Sequence, residues 1–144
     1  MLIRHILAGK GSDVVTTRPD ATVTDVAKLL KAKRIGAVVV TDAEGALCGI
    51  VSERDLACGL ADHGAGLVKM RVAELMTQEI STCSPDDGID RLMRQMTEGR
   101  FRHLPVIEDG RMIGIISIGD VVKHRLQELE HEAHMLQDYI SGGA

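Results

Sequence analysis

An α/β (α+β) fold made of two β-α-β-β-α copies and a long C-terminal helix is what this 144-residue chain predicts. Its first ground is an internal repeat: Thr16, Pro19, Asp20, Arg34 and Val40 recur at a constant offset of 66 as Thr82, Pro85, Asp86, Arg100 and Val106. After a one-residue slip, Gly49-Ile50-Val51-Ser52 and Asp55 recur as Gly114-Ile115-Ile116-Ser117 and Asp120. The slip falls at Asp42-Ala43-Glu44-Gly45 against Glu108-Asp109-Gly110, in a turn, where insertions cost least. The second ground is that each copy shows the same succession of helical periodicity, apolar run, Gly-containing turn and apolar run. Two copies are too few for a solenoid, so they are expected to close on each other with pseudo-two-fold symmetry, leaving clefts between them as the first place to look for function.

Each copy opens with a short amphipathic piece, Ile3 to Leu7 or Val72 to Met76, and a brief extended segment, Val14 to Thr17 or Ile80 to Cys83. Pro-Asp then starts a helix. Val23, Val26, Ala27 and Leu30 recur at three and four, the spacing of one helical face, and Ile89, Leu92, Met93 and Met96 repeat it, with Gly99 suited to the helix end. Ile35 to Thr41 and Phe101 to Ile107 are strand candidates, joined through the turns to Leu47–Val51 and Met112–Ile116 as β-hairpins. Pro105 inside its strand marks an edge or strand end. Ser52 and Ser117 are good N-caps for the helices that follow, and Gly59 to Gly66 reads as a loop that breaks the first of them. The division expected is residues 1–62 for the first repeat, 63–69 for a linker, 70–125 for the second repeat and 126–144 for a helical extension. In that extension Val122, Leu126, Leu129, Ala133, Leu136 and Ile140 alternate steps of four and three to about Ile140, the seam of a partner helix, and Ser141 to Ala144 read as a disordered tail.

Composition narrows the function classes. At 44% hydrophobic residues the chain can bury one sizeable core, built from Val, Ile, Leu, Met and Ala because it holds one Phe, one Tyr and no Trp. Base stacking on single-stranded nucleic acid therefore has no platform, and a net charge of −4 with a pI near 5.8 argues against a broad polyanion-binding surface. No stretch is long enough to span a bilayer and the N-terminus is too short in apolar residues for a signal peptide, so a cytoplasmic location without membrane association is expected. Cys48, Cys58 and Cys83 have neither metal-ligand spacing nor an even count, which suits a reducing compartment; Cys48 aligns with Ile113 and reads as a small core hydrophobe.

The doubled constellation, above all Gly-Ile-Val-Ser-Glu-Arg-Asp-Leu (49–56) and Gly-Ile-Ile-Ser-Ile-Gly-Asp-Val (114–121), resembles the cystathionine β-synthase (CBS) domain, as a tandem pair over about Ile3 to Val122 and of the stand-alone bacterial type. The resemblance implies a pseudo-two-fold module that binds adenosine-containing ligands (AMP, ADP or ATP, with NAD or S-adenosylmethionine as further members of the class), requires no cofactor or metal, acts by conformational regulation and forms a homodimer. It also implies that the Ser/Thr-x-x-Asp motif holds ribose and phosphate. A carboxylate three residues after a helix-opening Ser can accept from both vicinal hydroxyls of a ribose while the helix N-terminus faces a phosphate. Ser52, Asp55, Ser117 and Asp120 carry over on that basis, Thr77 and Ile80 match positions lining the base pocket, and Pro105 accompanies them. The first copy has Leu7-Ala8 where the second has Met76-Thr77. Arg102 and His103 stand where the first copy has Gly36 and Ala37, and cations there imply that the second site reads phosphate and binds more tightly.

Other motifs fail on spacing. His131-Glu132-Ala133-His134 places its second histidine one residue early for a zinc-binding helix, and Gly9-Lys10-Gly11-Ser12 lacks the upstream glycine and the hydroxyl of a phosphate-binding loop, so it reads as a plain loop. No nucleophile has an evident base beside it, so a binding protein rather than an enzyme is expected; the sharpest enzymatic alternative pairs Cys58 with His63 as a redox thiol. The competing non-enzymatic expectation is a structural dimerisation module with no bound nucleotide and a possible protein target.

Overall fold

The computed structural model describes residues 1–99 and 101–142. The elements run α1 (Ile3–Lys10), β1 (Thr16–Thr17), α2 (Val23–Lys33), β2 (Ala37–Thr41), β3 (Leu47–Ser52), α3 (Glu53–His63), a 3-10 segment (Gly64–Lys69), α4 (Val72–Leu75), α5 (Ile89–Gly99), β4 (His103–Glu108), β5 (Arg111–Ser117) and α6 (Ile118–Gly142). They form two compact units: Asp13–Ser81, and Met1–Ser12 with Thr82–Ala144.

In the Asp13–Ser81 unit, β1 pairs parallel with β2 and β2 antiparallel with β3. Val26, Leu30, Val38, Val40, Val51 and Val72 make the buried core under α2. Thr22 caps α2, its hydroxyl accepting from the Asp25 N–H at 3.2 Å while the Asp25 carboxylate accepts from the Thr22 N–H at 3.3 Å. In the other unit β4 and β5 are antiparallel, Cys83 adds a single parallel bridge to Val106, and Ile3, Ile6, Ile89, Leu92, Met96, Leu104, Val106, Ile116 and Val121 form the core. Both hairpins break register at the same repeat position, Val40/Thr41 and Val106/Ile107. Their turns differ. Asp109 and Gly110 both have positive φ (52° and 76°) in a two-residue loop, whereas Asp42 closes the longer turn by accepting through Oδ1 from the N–H groups of Glu44 and Ala46.

The repeat read along the chain and the unit formed in space are different divisions. α1, which leads the first copy in sequence, completes the core of the unit holding the second hairpin, and α4, which leads the second copy, completes that of the first. Equivalent backbone bonds hold both: the Ile3 N–H donates to the Asp87 carbonyl at 3.0 Å and the Val72 N–H to the Ala21 carbonyl at 2.8 Å. Periodicity marks a short helix as half-buried without saying which core it covers.

Other local expectations shift too. Gly59 lies inside α3, which ends only at Gly64 with φ 57°; a Cβ on Gly59 would come within 2.8 Å of both Leu67 and Leu75, so this glycine serves close packing rather than a break. Gly9 and Lys10 are the last turn of α1, not a loop. The strands start two residues late, at Ala37 and His103; Arg34 in the left-handed region (φ 54°) and the Ile35 N–H donating to the Leu30 carbonyl extend the cap of α2. Of Val14–Thr17 only Thr16 and Thr17 pair, and of Ile80–Cys83 only Cys83. Ser141 and Gly142 continue α6, while Gly143 and Ala144, the rest of the expected tail, lie outside the described residues. No described helix is long and apolar enough to cross a membrane.

Candidate functional site

The same local chemistry is built twice, once in each unit. Ser52 has extended backbone (φ −112°, ψ 167°) and ends β3, so its side chain projects over the first turn of α3. Its N–H and hydroxyl donate to Asp55 Oδ2 at 2.8 and 3.1 Å, and its Oγ accepts from the Asp55 N–H at 3.3 Å. Ser117 and Asp120 repeat this at the start of α6 at 2.9, 2.9 and 3.2 Å. Each carboxylate thereby caps its own helix and sits at the positive end of the helix dipole.

What faces each carboxylate comes from a distant segment. At Asp55 it is Thr77, whose hydroxyl donates to Oδ1 at 3.2 Å, positioned by a two-way backbone bridge between Thr77 and Ile50. The bridge needs Gly49: a Cβ there would lie 2.7 Å from Met76 Sδ and 3.0 Å from the Thr77 carbonyl oxygen. Met76-Thr77, read in sequence as part of the second copy, thus stands at the carboxylate of the first. At Asp120 the corresponding segment is the end of α1, with Leu7 across Gly114, where a Cβ would meet Leu7 Cδ2 at 2.7 Å. Instead of a hydroxyl this segment brings Lys10, whose ammonium donates to Asp120 Oδ2 at 2.6 Å and to the Ile115 carbonyl at 2.7 Å.

Sequence reasoning dismissed Lys10 with its loop. The only signal that could have found it was a cation one residue inside a helix end, which has no meaning until that helix is placed in the unit. Among the described residues all the hydrogen bonds to the Asp120 carboxylate fall on Oδ2 and none on Oδ1.

Asp120 is 23% exposed and Lys10 32%. Burial pushes the Asp120 carboxyl up, but the hydrogen bonds from Lys10 and from the Ser117 N–H and hydroxyl outweigh it and hold the group below the ordinary carboxylate range. A carboxyl lowered on folding contributes stability that is present above its unfolded pKa and is lost as pH falls through the folded one. Urea unfolding across the acid range should therefore show stability falling with pH more steeply in the wild type than in Lys10→Met; parallel curves would mean that the ion pair adds nothing.

The remaining expected site residues are more scattered. Ile80 is half-buried outside any strand. Arg102 precedes β4, its carbonyl accepting from the Ile118 N–H at 2.8 Å, and its side chain lines a groove of about 750 Å³ with Ile118, Val122, Lys123 and Leu126 of α6. His103 opens β4 opposite Ser117. Pro105 is buried in β4, and its carbonyl accepts from the Cys83 N–H at 3.0 Å. A strand residue's N–H and C=O point to the same side, so the donor that proline lacks would face the edge where Cys83 makes its single bridge.

The thiols offer little. Burial pushes Cys83 up to about 12, and Cys58 and His63 lie five residues apart on α3, about 140° around the helix, so they project from different sides. Among the described residues no cluster of His, Cys, Asp and Glu could hold a metal ion.

Comparison with known proteins agrees with this fold. The family model described as CBS domain matches residues 10–62 and 72–127. A curated CBS domain-containing mitochondrial protein of Arabidopsis thaliana, CBSX3, is 39% identical over 128 residues, 86% of this chain and 62% of that protein, so the chain spans less than two thirds of its relative's length. The crystal structure of a CBS-domain containing protein from Agrobacterium tumefaciens superposes with a TM-score of 0.85 at 49% identity, covering 86% of this chain and 92% of the other. The CBS domain pair of protein MJ0100, solved with 5′-methylthioadenosine and S-adenosyl-L-methionine, gives 0.78 at 25% identity over 89% and 98%.

Proposed function

This chain belongs to the CBS-domain family as a tandem pair, and we propose that it is a cytoplasmic, homodimeric regulatory protein, not an enzyme, that binds an adenosine-containing small molecule. The observation that carries the reading is the pair of helix-capping carboxylates, Asp55 and Asp120, each fixed by its serine and each faced by a donor from a distant segment. Asp120 Oδ1 accepts from the ribose hydroxyls, and Ser117 with the N-terminus of α6 faces the first phosphate. Lys10 supplies a cation beside that carboxylate. Arg102, joined by His103 when that ring is protonated, extends the positive charge for a phosphate chain, making the Asp120 site the tighter one for AMP, ADP or ATP. At Asp55, Thr77 and Ile80 border the base and Ser52 holds the carboxylate. A relative solved with two adenosine compounds supports the ligand class and leaves the choice among nucleotides, NAD and S-adenosylmethionine to binding measurements.

Regulation follows from where the carboxylates sit. Each joins the end of a hairpin to the start of a helix, and at Asp120 the helix is α6, 25 residues long. A ligand that draws Lys10 from Asp120 would exchange one set of contacts at that helix start for another, which is the differential interaction a conformational shift requires.

A second reading, a structural dimerisation module, is favoured by the ammonium of Lys10 already holding Asp120. Thermal unfolding with AMP, ADP, ATP, NAD and S-adenosylmethionine separates the two. A ligand at a hundred times its dissociation constant should stabilise the protein by about 2.7 kcal/mol, and a melting temperature unmoved by every one of them leaves only the structural reading.

A further inference from the structure

We propose that α6 is a self-association element and that the partner on its apolar stripe is α6 of a second copy, lying parallel and in register. This deepens the homodimer reading and rests on it. The stripe is continuous and uncovered. Val122, Leu126, Leu129, Leu136 and Ile140 are 48%, 55%, 46%, 61% and 73% exposed, and Ala133 between them is exposed too. The unit itself uses another face of the helix: Val121 is buried and His124, Arg125 and Glu128 are half-buried, while every described residue from Leu129 to Gly142 is exposed. The family match ends at residue 127, so four of the six stripe residues, Leu129 to Ile140, lie on the part of α6 beyond it.

The charges beside the stripe choose the orientation. With Leu126, Ala133 and Ile140 as a positions and Val122, Leu129 and Leu136 as d positions, Lys123, Glu130 and Gln137 occupy e, and Arg125, Glu132 and Tyr139 occupy g. In a parallel pair each g residue meets the e residue five places on in the other helix. Arg125 then meets Glu130 of the second copy, twice by symmetry, and Glu132 meets the neutral Gln137. In the antiparallel pair that covers the same stripe, with Leu126 opposite Leu136, e meets e and g meets g. Glu130 then faces Glu130, and Glu132 faces Glu132, at the centre of the contact. The arrangement with two opposite-charge pairs is favoured over the one with two like-charge pairs. Arg125 can take part because its side chain is 43% exposed while bonded to Glu128 on its own helix at 2.9 Å.

Two measurements on the full chain test this. Leu136→Cys, made with Cys58→Ser because Cys58 is an exposed thiol, should form a covalent dimer through residue 136 on mild oxidation, since only the parallel pair sets this position against itself. Glu130→Arg should weaken the dimer about ten-fold by sedimentation as two attractive pairs become repulsive, and adding Arg125→Glu should bring the constant back towards wild type. A wild-type chain that sediments as a monomer at all concentrations overturns both the homodimer reading and this inference. A wild-type dimer in which position 136 does not cross-link, or in which Glu130→Arg changes nothing, leaves the homodimer standing and overturns the parallel pairing alone.

Discussion

Asp120→Ala is expected to lower adenine-nucleotide affinity at the second-copy site by ten- to a hundred-fold. Hydrogen bonds to a charged group contribute roughly 1.5–3 kcal/mol, and about 1.4 kcal/mol is a factor of ten in affinity. The change also removes the carboxylate half of the capping box, leaving the Ser117 hydroxyl to accept from the residue-120 N–H, and leaves Lys10 bonded only to the Ile115 carbonyl, so lost affinity has to be separated from lost structure. Asp120→Asn does this: the amide oxygen can still accept from the Ser117 N–H and keep the capping box, but the negative charge that a ribose diol and Lys10 both seek is gone. Calorimetric titration of AMP, ADP and ATP into wild type, Asp120→Ala, Asp120→Asn and Asp55→Ala then assigns the sites. Equal affinities in wild type and both Asp120 variants would remove this carboxylate from the binding site. If Asp55→Ala alone abolishes the tighter event, the order of the two sites is reversed.

Ile3→Ala is expected to destabilise the protein by about 2–5 kcal/mol, the range for deleting most of a fully buried aliphatic side chain, with Ile3→Val costing about 1 kcal/mol. Ile3 is 0% exposed and lies in one core with Leu92, Leu104 and Ile116, although it precedes them by some ninety residues or more. Urea unfolding measures the size, and amide exchange locates it: protection should fall in β4 and β5, whose inner faces Ile3 helps cover. A loss under 1 kcal/mol for the alanine variant would mean that α1 is a loose arm and that Lys10 has no fixed position beside Asp120. The two experiments are therefore linked, because the helix that fills this core also delivers the cation.

The order of elements was legible because its causes are local. Ser52 or Ser117 with a carboxylate three residues later satisfies the free N–H groups of a helix start wherever the chain lies; Pro19-Asp20, expected to start a helix, form a turn instead, and the cap of α2 is Thr22, three residues beyond the proline. Asp109-Gly110 supplies two positive φ angles to a hairpin turn, and the doubled register made each assignment check the other. The helix-capping geometry of Ser52, Asp55, Ser117 and Asp120 was legible for the same reason. Gly59 misled because glycine breaks a helix by flexibility but also permits close packing, and only Leu67 and Leu75 above it tell the two apart.

By itself, then, the sequence determined the repeat, the type and order of the elements, the two capped carboxylates and the apolar stripe of α6, all of which depend on neighbours within a few positions. The tertiary structure alone decided that α1 and α4 each complete the core of the other copy's hairpin. With that it decided that Thr77 faces Asp55 and Lys10 faces Asp120. The physical reason is that an amphipathic helix of one or two turns states only that one side of it avoids water. Which core it covers is settled by shape and volume at the contact, here by Gly49 and Gly114 leaving room for Met76 and Leu7 to cross, and no periodicity along the chain records that fit.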